Sequence, residues 1–167
     1  MDIRIAGTVE DSIVDGPGLR FVVFVQGCPH HCEGCHNPET HDFSAGKLTT
    51  TDALYEMCME NPLCSGVTFS GGEPFCQPEA LYELGSRFKD AGKHLMCYSG
   101  WTFEELLKKS GREEYVGKLL SILDVLVDGR FDISKRSLSL KFRGSSNQRL
   151  IDVPASLSKG EAVELPE

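Results

Sequence analysis

The chain has 167 residues, 40% of them hydrophobic and 25% charged, the proportions of a globular domain large enough to bury a core. Its formal net charge of −8 argues against a general binder of nucleic acid or of an anionic membrane. Seven cysteines behind an N-terminus without a basic and apolar leader pattern argue against a disulfide framework, so the cytoplasm is the expected location.

The first strong signal along the chain is LRFVVFVQ, residues 19–26. It is apolar on both faces and rich in β-branched and aromatic side chains, which predicts a buried strand. Leu54, Met57 and Cys58 at helical spacing predict a helix over 50–60, ended by Asn61 and Pro62. Residues 66–70 read as a short strand. Residues 78–91 read as a helix with Pro78 first, Leu81, Leu84 and Phe88 on one face, and Gly92 after its end. A strand over 94–98 comes next, then helices over 102–109 and 112–123 with Gly111 between them. A strand over 124–127 and another over 149–153, followed by a hairpin to Glu164, complete the reading. Strands alternating with helices imply right-handed crossovers and a parallel sheet. About five such strands are too few for an eight-fold barrel. The expected fold is therefore α/β, a partial, open β/α barrel with a mostly parallel sheet, in a single domain over residues 1–167.

Four unusual motifs lie just past the carboxyl ends of these strands, where parallel α/β folds place their active sites. They are GCPHHCEGC (27–35), SGGEP (70–74), YSGW (98–101) and DGR (128–130). Cys28, Cys32 and Cys35, spaced C-x3-C-x2-C, let one loop wrap three thiolates around a compact centre, and Gly27, Pro29 and Gly34 suit a tight, irregular path. Spacing alone leaves two inorganic readings open. One is zinc, completed by His30, His31, His36 or His41. The other is a [4Fe–4S] cluster whose fourth iron takes a distant cysteine or stays open to a substrate.

The cysteine motif after one strand, with GGEP after the next, resembles the radical S-adenosylmethionine superfamily. SIVDGPGLRFVVFVQGCPHHCEGCHNPETHDF, TFSGGEPFCQ, CYSGWTFEEL, DVLVDGRF and FRGSSNQRLIDV are similar to the anaerobic ribonucleoside-triphosphate reductase-activating proteins, from about residue 5 to about residue 155. Pyruvate formate-lyase activases share CHN and GGE but resemble a longer chain with a D-x-K pattern after the fourth strand, where this chain has Asp128, Gly129 and Arg130.

The resemblance implies a partial barrel of the radical S-adenosylmethionine type. It implies that Cys28, Cys32 and Cys35 hold a [4Fe–4S] cluster whose open iron is chelated by the amino and carboxylate groups of S-adenosylmethionine. Gly71, Gly72 and Glu73 would receive the methionine amino group, and His36 and Asn37 would lie beside the adenosine. Asp128 and Arg130 would stand near the methionine carboxylate, with Arg130 as counter-ion and Ser99 as a further candidate. A flavodoxin or ferredoxin would supply one electron. The resulting 5′-deoxyadenosyl radical would take a hydrogen atom from a glycine in the large subunit of the reductase, with no side chain acting as acid or base.

Cys58, Cys64, Cys76 and Cys97 read as packing residues, and His30, His31 and His41 as loop residues. Between Arg130 and Arg149 six basic residues face one acid, Asp132, which reads as a docking patch for a protein partner. Two rival classes remain at this point. One is an electron carrier with a fourth cysteine on its cluster, the other a zinc-bound structural module. Within radical chemistry, a different glycyl-radical enzyme could be the target.

Overall fold

The computed structural model describes residues 1–166. In chain order its elements are β1 (Asp2–Ser12), β2 (Arg20–Val25), β3 (Lys47–Thr50), α1 (Thr51–Met59), β4 (Gly66–Gly71), α2 (Pro78–Asp90), β5 (His94–Tyr98), α3 (Phe103–Ser110), α4 (Glu114–Ile122), β6 (Val125–Asp128), β7 (Arg149–Asp152) and α5 (Val153–Lys159). All seven strands join one sheet in the order β3-β1-β2-β4-β5-β6-β7. Neighbours from β2 to β6 run parallel. The pairs β1–β2, β1–β3 and β6–β7 are antiparallel. The sheet does not close on itself, so the architecture is the open α/β partial barrel expected.

One face of the sheet carries the main core. Val23, Val67, Phe69, Leu95 and Leu126 there pack with Leu54, Leu81, Leu84, Phe88 and Leu120 of the helices. The other, inner face carries a smaller cluster of Met96, Val125, Val127 and Leu150. Both faces being covered explains why RFVVFV is a continuous apolar run rather than an alternating one. The inner face also holds Arg20, 1% exposed. Its guanidinium donates to Thr68 Oγ1 at 2.8 Å and to the carbonyls of Pro17 at 2.8 Å, Val67 at 2.8 Å and His94 at 3.2 Å. Thr68 Oγ1 in turn donates to the Asp15 carbonyl at 2.7 Å. The DGPGLR motif is thus a turn drawn across the inner face and tied there by its own arginine.

Three elements differ from the sequence expectation. β1 and β3 add antiparallel strands at one edge. Register shifts between Ile5 and Gly7 and between Val9 and Ser12 break the alternation of β1, and the short β3 is largely exposed, so neither leaves a clean period-2 pattern. After β7 the chain does not turn in a hairpin. Asp152 caps a helix instead, accepting from Ala155 N, with Pro154 in the first turn. Only after α5 does the chain return, with Glu164 pairing to Ile151.

Candidate functional site

The four parallel strands deliver their following loops to one cavity of about 700 Å³. The β2–β3 loop contributes Cys28, Cys32, Cys35, His36 and Asn37. β4 contributes Ser70 and Gly71 and is followed by Gly72; Tyr98, Ser99 and Gly100 come from the end of β5, and Gly129 and Phe131 follow β6. Val14 and Asp15 line it from the β1–β2 turn, and Leu138, Leu140, Phe142 and Arg143 from the long connection between β6 and β7.

The cysteine loop is held by backbone before any cofactor is considered. Gly27 N donates to Thr40 O at 2.7 Å and Cys28 N to His41 O at 3.2 Å. Gly72 N donates to Val25 O at 2.9 Å and Glu73 N to Gly27 O at 2.8 Å. A Cβ at Gly72 would collide with the Gly27 carbonyl, so glycine is what lets the turn after β4 lie directly against the start of the cysteine loop. Asn37 N donates to Cys35 Sγ at 3.4 Å. Burial, first of all, pushes the Cys28 thiol above its ordinary pKa.

Cys28, Cys32 and Cys35 share the cavity, yet among the described residues no three His, Cys, Asp or Glu side chains converge on a point where they could hold a single metal ion. Thiolates bound to one tetrahedral zinc stand about 3.8 Å apart. A [4Fe–4S] cluster instead takes each thiolate on a different iron, and three cysteines lining one cavity fit that arrangement. No fourth cysteine lines the cavity among the described residues. Cys58, Cys64 and Cys97 are buried in the main core, and burial pushes the Cys58 and Cys76 thiols up to about 12.

The structure separates the other residues singled out from the sequence into two groups. His36, Asn37, Gly71, Gly72 and Ser99 line the cavity with the cysteines. The His36 ring lies 5.0 Å from that of Phe131. Glu73, Asp128 and Arg130, expected beside the ligand, are not among the residues lining this cavity. The Glu73 carboxylate is 0% exposed and turned beneath the cysteine loop. Asp128 is 1% exposed and engaged by Arg149, while its Oδ2 accepts from Phe103 N at 2.7 Å at the start of α3. Arg130 points outward, half exposed, 3.9 Å from Glu105. Glu73 and Arg130 lie past the ends of β4 and β6 and are placed by the contacts of their loops, whereas Asp128 ends β6 on the face opposite Val125 and Val127.

Three participants escaped the sequence reading. His30, read as a loop residue, is 4% exposed and bonded to Glu73 at 2.6 Å. Arg149 joins Asp128 to Glu104. Arg143 lines the cavity, and its guanidinium donates to the Gln148 carbonyl at 3.2 Å. The only prior signal for Arg143 was the basic stretch it belongs to, which carries no information on direction.

A family model described as a 4Fe-4S single cluster domain matches residues 14–151. The chain is 32% identical over 146 residues to the anaerobic ribonucleoside-triphosphate reductase-activating protein of Enterobacteria phage T4, covering 82% of this chain and 86% of that protein. The protein of the same name from Vibrio cholerae is 33% identical over 150 residues, covering 81% and 89%. The pyruvate formate-lyase-activating enzyme of Clostridium pasteurianum is 40% identical over 114 residues, covering 63% of this chain but only 48% of its own length. The chain therefore spans about half of that enzyme. With an iron–sulfur model matched through most of the sequence and the reductase-activating relatives matched along nearly their full length, the chain belongs to the family of anaerobic ribonucleoside-triphosphate reductase-activating proteins, iron–sulfur activating enzymes of the radical S-adenosylmethionine superfamily.

Proposed function

We propose that this enzyme activates the large subunit of an anaerobic ribonucleoside-triphosphate reductase, using S-adenosylmethionine at a [4Fe–4S] cluster held by Cys28, Cys32 and Cys35. When bound, the two groups supply a one-electron cleavage whose 5′-deoxyadenosyl radical takes a hydrogen atom from a partner glycine, leaving a glycyl radical. The observation that carries the reading is the convergence of three cysteines, the Gly71–Gly72 backbone and the end of β5 on one cavity of about 700 Å³. That volume suits a nucleoside-sized ligand beside a cluster.

The protein's part is binding, orientation and exclusion of water. The backbone at Gly71 and Gly72 receives the methionine amino group, with Glu73 supporting that edge from beneath. His36, against Phe131, and Asn37 offer a ring and an amide to the adenosine. Ser99 lines the cavity at the end of β5 with its hydroxyl bonded to Glu73. Arg143, which lines the cavity, takes the place of Arg130 as counter-ion of the methionine carboxylate. Asp128 serves the scaffold. The electron comes from a flavodoxin- or ferredoxin-type protein.

A second target has an observation in its favour, the 40% identity to a pyruvate formate-lyase-activating enzyme. The coverage of 86% and 89% of the reductase-activating relatives, against 48% of that enzyme, favours the reductase. The test is anaerobic reconstitution, chemical reduction and measurement of 5′-deoxyadenosine from S-adenosylmethionine, with Cys35→Ala alongside. Product from the wild type alone supports the chemistry. A fully loaded, reduced protein that yields none, even with either partner present, would sink it. Glycyl-radical electron paramagnetic resonance with each partner then identifies the target.

A further inference from the structure

We propose that His30 and Glu73 form a single positioning unit for the cysteine loop, so that the carboxylate of the Gly-Gly-Glu motif acts on the cluster's ligands through His30 and not on the methionine amine. The inference rests on the proposed cluster at Cys28, Cys32 and Cys35.

Glu73 has no lone pair left for a ligand. Its carboxylate is hydrogen-bonded with His30 Nε2 at 2.6 Å and accepts from Ser99 Oγ at 3.1 and 3.0 Å, from Gly100 N at 2.8 Å and from Phe75 N at 3.0 Å. Four partners fill the acceptor capacity of a carboxylate, and at 0% exposure no opening remains through which an ammonium could approach.

His30 is two residues from Cys28 and two from Cys32, so fixing its ring fixes the chain between two ligands. The ring is confined on several sides. Its edge meets Trp101 at 4.7 Å between centroids, and Lys109 Nζ covers the Trp101 ring at 4.3 Å. A Cβ at residue 100 would overlap the imidazole, so the glycine of the YSGW motif makes room for His30. Glu73 also donates its backbone N–H to Gly27 O at 2.8 Å. One residue therefore grips the loop at two points, by N–H before the first cysteine and by carboxylate between the first and second. Partners that orient metal ligands in this way typically change metal affinity by about 10- to 100-fold when removed.

The experiment uses the full chain, reconstituted anaerobically, as wild type, His30→Ala, His30→Gln, Glu73→Ala and the double His30→Ala/Glu73→Ala. Cluster half-life under an iron chelator and the electron paramagnetic resonance spectrum of the reduced cluster are recorded without S-adenosylmethionine. S-adenosylmethionine affinity is measured separately by equilibrium binding. Each alanine variant should shorten the half-life about tenfold or more and alter the spectrum, and the double should be no worse than Glu73→Ala, since that variant already removes the His30–Glu73 contact. His30→Gln, which keeps an amide donor, should recover part of the lifetime. Urea midpoints of the cluster-free variants show whether each still folds, and His30→Gln decides the matter if an alanine variant does not. A Glu73→Ala protein with a wild-type half-life and spectrum but weakened S-adenosylmethionine binding would overturn the inference, as would single effects that add in the double. A wild type that takes up no iron overturns this inference and the proposed function together. A wild type with a cluster indifferent to every substitution overturns this inference alone.

Discussion

Two arginines thirteen positions apart stand differently toward the cavity. Arg130 is half exposed with a loose 3.9 Å contact to Glu105, whereas Arg143 lines the cavity. A charge-assisted hydrogen bond to a carboxylate is worth about 1.5–3 kcal/mol. Arg143→Gln should therefore raise the KM for S-adenosylmethionine about tenfold or more with iron content unchanged, while Arg130→Gln should leave KM within about twofold. Equal effects would remove Arg143 from the ligand site. His94 supplies a residue-scale dependence on pH. Burial first, then the charge of Arg20, hold its pKa below the ordinary 6.5. The unfolded chain then takes up a proton at His94 before the folded chain does. That contribution to stability is intact above about pH 6.5 and declines as pH falls through 6.5 toward the lower folded value. Urea midpoints should fall less between pH 7.5 and 5.5 in His94→Gln than in the wild type.

Between elements, the buried Asp128 joins three of them at the end of β6. Arg149 Nε of β7 donates to its Oδ1 at 3.0 Å, and Phe103 N, at the start of α3, donates to its Oδ2 at 2.7 Å. Arg149 also donates to Glu104 Oε1 at 2.6 Å, and that contact holds the Glu104 carboxyl below its ordinary pKa. Arg149 keeps Glu104 as a partner, so weakening its charge-assisted bonds to Asp128 costs about 1.5–3 kcal/mol. Asp128→Asn should lose stability on that scale in chemical denaturation. Affinity for S-adenosylmethionine should stay near wild type at temperatures where the variant is folded. The same corner holds the return of the β6–β7 connection. Gln148 Oε1 accepts from Gly144 N at 2.9 Å and Ser145 N at 3.2 Å, and its Nε2 donates to Gly129 O at 2.9 Å. The RGSSNQR motif is thus a set of ties placing Arg143 over the cavity.

At the scale of the whole molecule, the sheet stops at seven strands without closing, and in the proposed function the open side is where a partner's glycine-bearing loop would enter. Arg136 and Lys141 stand exposed on the connection that borders the opening, in a chain of net charge −8. Charges of this kind steer encounter more than they bind. Arg136→Glu with Lys141→Glu should slow glycyl-radical formation in the partner several-fold at low salt, with the difference shrinking as salt rises, and leave partner-free cleavage of S-adenosylmethionine unchanged. Unaltered activation would remove this stretch from the docking rim. The sequence by itself determined the parallel centre of the sheet, because a strand covered on both faces must be continuously apolar and a crossover helix must show its 3.6-residue stripe. It also determined the three cysteines and their common loop, because ligand spacing within one short loop is a local property. The irregular β1, the half-exposed β3 and the helix in place of a terminal hairpin were not legible, since bulges, edge exposure and a single capping aspartate override the local period. Which side chains of the motifs face the cavity was decided only in three dimensions. Gly71, Gly72 and Glu73 are adjacent in sequence, yet two border the cavity and the third is buried beneath it. A long-range contact from His30, forty-three positions away, is what completes that burial.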